Sequence, residues 1–212
     1  MRSINTCKRC GYVWASVREP KHCANEKCNS PYWNKERVWR KPGRPKATNI
    51  HRTSKTPEWY SPDIIIDEVI KLYVTIDLDP CTNSKIKPNV PAHAYFDLSD
   101  NGLKQKWFGS VYVNPPYGRE VGKWVDKCIE EYTTGRAEEI ILLVPARVDT
   151  RWFRKISNYY WCSISGRLKF KSLNGITNSA PFPSAVIYMG YRPEEFEIVF
   201  ESVGKIYKTH FS

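Results

Sequence analysis

Asn114, Pro115, Pro116 and Tyr117 close an apolar run, Val111-Tyr112-Val113, and lead into Gly118. Proline carries no backbone N–H, so two in a row leave a stretch whose centre accepts hydrogen bonds and donates none. That asymmetry suits one chemical problem. An amine on a planar ring is a poor nucleophile because its lone pair is delocalised into the ring. Two acceptors on its two N–H groups favour a pyramidal nitrogen and return the lone pair to it. The side-chain oxygen of Asn114 and the carbonyl of Pro115 form such a pair. The ring of Tyr117 adds a flat surface for a planar base. A base inside a duplex cannot reach a pocket of this kind, so a duplex substrate requires base flipping.

A second constellation lies far from the first. Cys7-Lys-Arg-Cys10 and Cys23-Ala-Asn-Glu-Lys-Cys28 are separated by twelve residues. Two short cysteine turns aim four thiolates at one ion in a closed tetrahedral site, which favours structural zinc, with iron as the alternative, over a catalytic metal with an open position. The segment has too little apolar side chain to build a core of its own, so a metal staple is expected there. The pattern resembles a zinc ribbon, with "CKRCGYVW" and "CNSPYWNKER" as its two knuckles, although the second knuckle has four intervening residues where two are usual. His22 adjoins Cys23 as a weaker alternative ligand. Beyond the cysteines, "RKPGRPK" resembles an AT-hook core at Gly43-Arg44-Pro45. Arg40, Lys41, Arg44 and Lys46 are therefore candidate DNA contacts, suited to a narrow and electronegative minor groove. A plain cationic linker is the alternative reading.

The distribution of charge supports a polyanionic partner. Residues 1–56 hold 14 Lys and Arg against 3 Asp and Glu, whereas residues 57–212 hold 19 of each. The net charge of +11 thus sits in the first quarter of the chain, and nucleic acid is the expected partner. The sequence has no apolar run of the roughly 18 residues a membrane span needs. Nor does its start, "MRSINTCKRC", have the apolar centre of a secretory signal. A cytoplasmic, reducing setting is the expectation, in which the seven cysteines serve as ligands or core residues.

Three zones must position these residues: a cysteine module over 1–37, a basic linker over 38–56, and a domain over 57–212. The last zone alternates strand and helix patterns. "PDIIIDEVIKLY" carries an apolar helical stripe and "VTIDLD" reads as a strand. "SVYV" is a strand ending at Asn114, and "EVGKWVDKCIEEY" is an amphipathic helix that Gly135 can stop. "EIILLVP" reads as a strand buried on both faces. "TRWFRKI" follows as a helix with Thr150 as its cap, "GRLKFKS" and "SAVIYMG" as strands, and "PEEFEIVFESV" as a late helix with Pro193 in its first turn. The alternation predicts an α/β fold with a mostly parallel twisted sheet and helices on both faces. The strand ends then gather the candidate residues at the carboxyl edge of the sheet, where ligands bind in such folds. Arg147, Asp149, Thr150, Arg151 and Trp152 follow the buried strand. Arg147 and Arg151 are candidate DNA contacts beside the pocket, and Arg167 and Lys169 are weaker ones.

The ordered set "TPEWYSP", "DLDPCTN", "YFDLSDNGLKQKW", "VYVNPPYG", "LLVPARVDTRWF", "GRLKF" and "APFPSAVIYMG" resembles the phage-type, Dam-like DNA adenine-N6 methyltransferase family. The resemblance implies a Rossmann-like methyltransferase fold, S-adenosylmethionine as methyl donor and a bacterial host cytoplasm. It implies that Asn114, Pro115, Pro116 and Tyr117 form the catalytic pocket. It places the methionine end of the cofactor at Asp79 and Pro80, and a ribose or adenine contact at Asp97 or Asp100. Trp59, Ser61 and Pro62 then flank the cofactor. "DPCTNSK" departs from the family pattern in lacking a glycine-rich turn after the first strand. Asn114 follows Asp79 by only 35 positions, too few for a recognition domain between them and short even for a strand–helix unit. Three rival readings stand beside this one: an RNA adenine methyltransferase, a protein-glutamine methyltransferase that uses the same motif on a planar amide, and a non-enzymatic zinc-ribbon nucleic-acid-binding protein.

Overall fold

The computed structural model describes residues 2–35, 60–171 and 177–208. The chain divides into two compact units, Met1–Asn49 and Ile50–Ser212. In the first, β1 (Ser3–Thr6) and β2 (Val13–Ser16) form an antiparallel hairpin with Asn5 opposite Trp14.

The second unit begins with α1 (Asp63–Tyr73), β3 (Ile76–Asp79) and β4 (Ala92–Tyr95). A 3-10 turn at Gly102–Lys104 leads to β5 (Gly109–Val113), α2 (Val121–Thr133) and β6 (Ala137–Pro145). After these come α3 (Arg151–Ile156), β7 (Tyr160–Ile164), β8 (Lys169–Lys171) and β9 (Thr177–Ser179). The described chain ends with β10 (Ser184–Met189), α4 (Pro193–Phe200) and β11 (Gly204–Tyr207). No helix of the described residues is long and apolar enough to cross a membrane.

Seven strands form one sheet in the order β11-β7-β10-β6-β5-β3-β4. The sheet is mixed, not mostly parallel. β4, β3, β5 and β6 pair in parallel, but β10 runs antiparallel to both β6 and β7, and β11 antiparallel to β7. The physical reason is the link between β7 and β10. It contains the hairpin of β8 and β9 in place of a crossover helix, and a connection without such a crossover returns the chain in the opposite direction. "GRLKFKS" therefore supplies β8 of a separate two-stranded ribbon, not a strand of the main sheet.

Helices do cover both faces. Ile65, Val69 and Leu72 of α1 and Phe196 and Phe200 of α4 pack with Tyr112, Ile141 and Leu143 on one side. Val121, Val125 and Cys128 of α2 and Phe153 and Ile156 of α3 pack with Val111, Val113, Ile140 and Leu142 on the other. Successive residues of β5 and β6 thus alternate between two cores, which is why "IILLVP", after Glu139, shows no polar positions. Gly135 ends α2 with φ +69°, a conformation that glycine adopts without strain. Thr150 caps α3 by accepting a hydrogen bond from the Phe153 N–H at 3.3 Å.

Candidate active site

β3 and β5 are neighbours in the sheet, with β4 outside β3 and β6 outside β5. The chain therefore leaves β3 on one side and returns on the other, and the crevice at that reversal is where open α/β sheets bind ligands. A cleft of about 1060 Å³ opens there. It is lined by the segments that follow β3 (Pro80 to Asn83), β4 (Asp97 to Ser99) and β5 (Asn114 to Pro116), by Asn101 to Lys104, and by Glu120, Lys123 and Trp124 from the start of α2. Its size suits a nucleoside-sized ligand. The close backbone approach at the end of β3 comes from Gly102, because a side chain there would collide with the Pro80 carbonyl. The glycine missing from "DPCTNSK" is thus supplied by the 3-10 turn that packs against it.

Asn114 is half-buried on the cleft wall, and its Nδ2 donates to Ser61 Oγ at 3.1 Å. Ser61 is buried, and Pro62 immediately precedes α1. Neither lines the large cleft; Ser61 instead borders a small polar pocket with Asp79, Asn89 and Asn114. Tyr117 is not an open plate. Its ring meets Phe182 at 5.4 Å and 77° and Phe170 at 6.0 Å and 89°, both edge-to-face. The Tyr117 hydroxyl is buried with no hydrogen-bond partner among the described residues, and burial pushes its pKa well above the usual phenol range.

The two candidate carboxylates after β4 have different surroundings. Asp97 lines the cleft, and its Oδ1 accepts from Ser99 Oγ at 2.6 Å and from the Ser99 N–H at 2.9 Å. These bonds, with the serine hydroxyl first, hold its pKa below the usual carboxylate range. Asp100 accepts the Asp97 N–H at 2.8 Å and pairs with Lys85 at 2.5 Å, and it does not line the cleft. Asp79 lies behind the cleft, where its Oδ1 accepts the Cys81 N–H at 3.1 Å. Burial pushes the Asp79 carboxyl up to about 7 against these hydrogen bonds.

The raised pKa of Asp79 has a stability consequence. The unfolded carboxyl ionises near 4 and the folded one near 7, so the aspartate progressively destabilises the fold as pH rises between those values. Asp79→Asn, which keeps an acceptor for Cys81, is therefore expected to unfold at a higher temperature than the wild type at pH 8 and at the same temperature near pH 4. The ceiling on this gain is about 4 kcal/mol. Thermal denaturation across pH would contradict the assignment if the difference were flat.

The rim beyond β6 carries Arg147 and Arg151, both exposed. Their loop is joined to the segment bearing Phe182 by the Ala146 N–H, which donates to the Pro183 carbonyl at 2.8 Å. Trp59 and the linker residues Arg40, Lys41, Arg44 and Lys46 lie outside the described residues.

In the first unit, the sulfurs of Cys7, Cys10, Cys23 and Cys28 all lie within 4.8 Å of one another. Cys7 and Cys28 are 3.9 Å apart, and Cys10 and Cys23 are 3.7 Å apart. A tetrahedron with zinc–sulfur bonds of about 2.3 Å has edges of roughly 3.8 Å, so the spacing fits that ion. The longer second knuckle is taken up by a turn in which the Cys28 and Asn29 N–H groups donate to the Asn25 carbonyl at 2.9 and 2.8 Å. His22 is not part of the cluster.

Residues 47–196 match the family model described as DNA N-6-adenine-methyltransferase (Dam). The chain belongs to this family. The match covers 150 of the 212 residues, including the whole cleft and the Asn114–Tyr117 segment, and starts well after the cysteine cluster. A comparison with curated proteins gave no match. Dam-family membership makes DNA adenine-N6 methylation the activity to be read from this site. Several residues of that site carry no local signal in the sequence. Asn83 and Asn101 reach the cleft from loops and Lys104 from the 3-10 turn, and Phe170 and Phe182 reach Tyr117 from positions more than 50 residues away. The sequence signal for the two phenylalanines is that "GRLKF" and "APFPSAVIYMG" belong to the ordered set that carries the family resemblance.

Proposed function

We propose that this Dam-family chain transfers a methyl group from S-adenosylmethionine to the N6 amine of adenine in DNA, with the base flipped out of the duplex. One observation carries the reading. Asn114 sits on the wall of a nucleoside-sized cleft at the sheet's reversal point, with its amide nitrogen donated to Ser61. The oxygen of that amide and the Pro115 carbonyl take the two N–H groups of the incoming amine and localise its lone pair. S-adenosylmethionine, when bound, supplies an electrophilic methyl group on a sulfonium. Asp97 holds its ribose hydroxyls or adenine amine, and the Pro80–Asn83 segment with Asp79 behind it holds the methionine end. The chain's own contribution is alignment and polarisation, and the proton lost by the methylated amine passes to water.

Zinc bound by Cys7, Cys10, Cys23 and Cys28 closes the N-terminal module. Burial, with the neighbouring Cys7, Cys10 and Cys28 thiols adding to it, pushes the Cys23 thiol up to about 12, so four thiolates there call for a divalent cation. The module and the linker residues Arg40, Lys41, Arg44 and Lys46 supply phosphate contacts, and Arg147 and Arg151 grip double-stranded DNA beside the pocket.

Incubation with labelled S-adenosylmethionine and DNA, RNA or protein, followed by complete digestion, tests the reading. N6-methyladenine in DNA is the expected product. Label found chiefly in RNA or on glutamine would overturn it.

A further inference from the structure

The 34 residues between Asp79 and Asn114 hold β4, the 3-10 turn and β5, so no recognition domain stands there. We infer that the ribbon of β8 and β9 reads the DNA sequence around the target, with Asn178 as the residue that contacts a base flanking it. This inference rests on the proposed DNA methylation.

Three observations lead to it. The ribbon is a separate two-stranded unit outside the main sheet, and its first strand and the segment that follows the ribbon hold the catalytic aromatic ring. Phe170 of β8 and Phe182, three residues after β9, pack against Tyr117 from two directions. The ribbon is tied at both ends: at the turn end the Lys171 carbonyl accepts the Tyr60 N–H at 3.2 Å and Lys171 Nζ pairs with Asp63 at 2.5 Å, and at the open end the Ala180 N–H donates to the Leu168 carbonyl at 2.8 Å. A two-stranded hairpin is marginal alone, and these ties make it rigid enough to present side chains.

Its surface chemistry is that of a nucleic-acid reader. β8 and β9 contain no acidic residue, and Lys169, Lys171, Thr177, Asn178 and Ser179 are all exposed. Arg167, just before β8, is exposed as well. Lys171 is already paired with Asp63; the positive charge of Arg167 and Lys169 complements a phosphate backbone, and the major groove of B-form DNA admits a two-stranded β-ribbon. The register then singles out one residue. Phe170 stands directly opposite Asn178, and cross-strand partners share a face of the ribbon. Phe170 is buried toward Tyr117, whereas Asn178 is exposed. Asn178 thus projects on the side of the ribbon that faces the catalytic segment, and its amide offers both a donor and an acceptor to a base edge. Lys169 and Ser179 form the adjacent pair on the opposite face, where they suit backbone contacts.

The test compares the full-length wild type with Asn178→Ala and Lys169→Ala on unmethylated genomic DNA, mapping every methylated adenine. Asn178→Ala is expected to relax the preference at one position flanking the target by about ten- to a hundredfold, with S-adenosylmethionine affinity unchanged. Lys169→Ala is expected to weaken methylation at all sites alike. Because both side chains are exposed, thermal unfolding at the wild-type temperature checks that each variant is folded; Asn178→Gln serves as a second variant if Asn178→Ala is not. An unchanged flanking preference in the folded variant overturns the inference, as does a uniform loss without a change in preference. A wild type that methylates RNA or protein but no DNA refutes the proposed function itself, which is a different outcome.

Discussion

An Asn114→Ala enzyme is expected to methylate DNA at least about a hundredfold more slowly than the wild type while binding S-adenosylmethionine nearly as well. The size follows from the role. Two acceptors share the task of drawing the amine nitrogen toward a pyramidal geometry, and that geometry develops fully only in the transition state. Removing one preorganised hydrogen-bonding group from such a site typically costs 10²–10³ in rate. The mutation leaves Pro115, Asp97 and the Pro80–Asn83 segment in place, so the rest of the cofactor cleft is preserved. Asn114 does line that cleft, which makes an independent affinity measurement by equilibrium dialysis part of the experiment. Asn114→Asp sharpens it, since the carboxylate keeps an acceptor and the Ser61 hydroxyl can turn to donate to it. This variant should retain more activity than Asn114→Ala. An alanine variant with more than a tenth of wild-type turnover would remove Asn114 from the chemistry. A loss of cofactor affinity matching the loss of rate would make it a binding residue instead.

The legibility of this site in the sequence had physical limits. Asn114 to Tyr117 could be placed because an apolar run ending in two prolines fixes a strand end whatever the rest of the chain does. The helices α1 and α2 were legible from their apolar stripes, and β6 from its unbroken apolar run. Strand direction was not. β10 is as apolar as β6, and side-chain pattern carries no information about which way a fully buried strand runs. β7, with the half-exposed aromatics Tyr160 and Trp161, lacked both alternation and a continuous apolar run. The edge strand β11 was hidden behind the stronger helical pattern of α4. The choice between Asp97 and Asp100 was equally closed to sequence, because both sit in one turn. It depends on Lys85, which draws Asp100 away from the cleft wall. Gly102 shows the same limit in another form. Its need for the absence of a side chain arises from a backbone 22 residues earlier, a distance that local reading does not span.

The charge distribution leads to the other large effect, on DNA affinity. Residues 1–49 form their own compact unit and carry 12 Lys and Arg against 3 acidic residues. Each phosphate contact releases counterions and adds about 0.9 to the slope of log affinity against log salt. If about six of these cations meet phosphates, removing residues 1–49 lowers the slope by roughly five. The affinity lost is then largest at low salt and shrinks as salt rises, which separates an electrostatic role from a folding defect. Cutting between the two units leaves the cleft, Asn114 and Tyr117 within the remaining unit, so cofactor affinity reports on its integrity. A chelator acting on the full chain should reproduce part of the effect, because folding of a structural zinc module is coupled to binding of its metal. Linker cations need no such metal, so the part that survives chelation measures Arg40, Lys41, Arg44 and Lys46. A salt slope unchanged by the deletion would mean that the basic quarter of this chain does not meet the DNA backbone, and that the near-neutral remainder grips its substrate unaided.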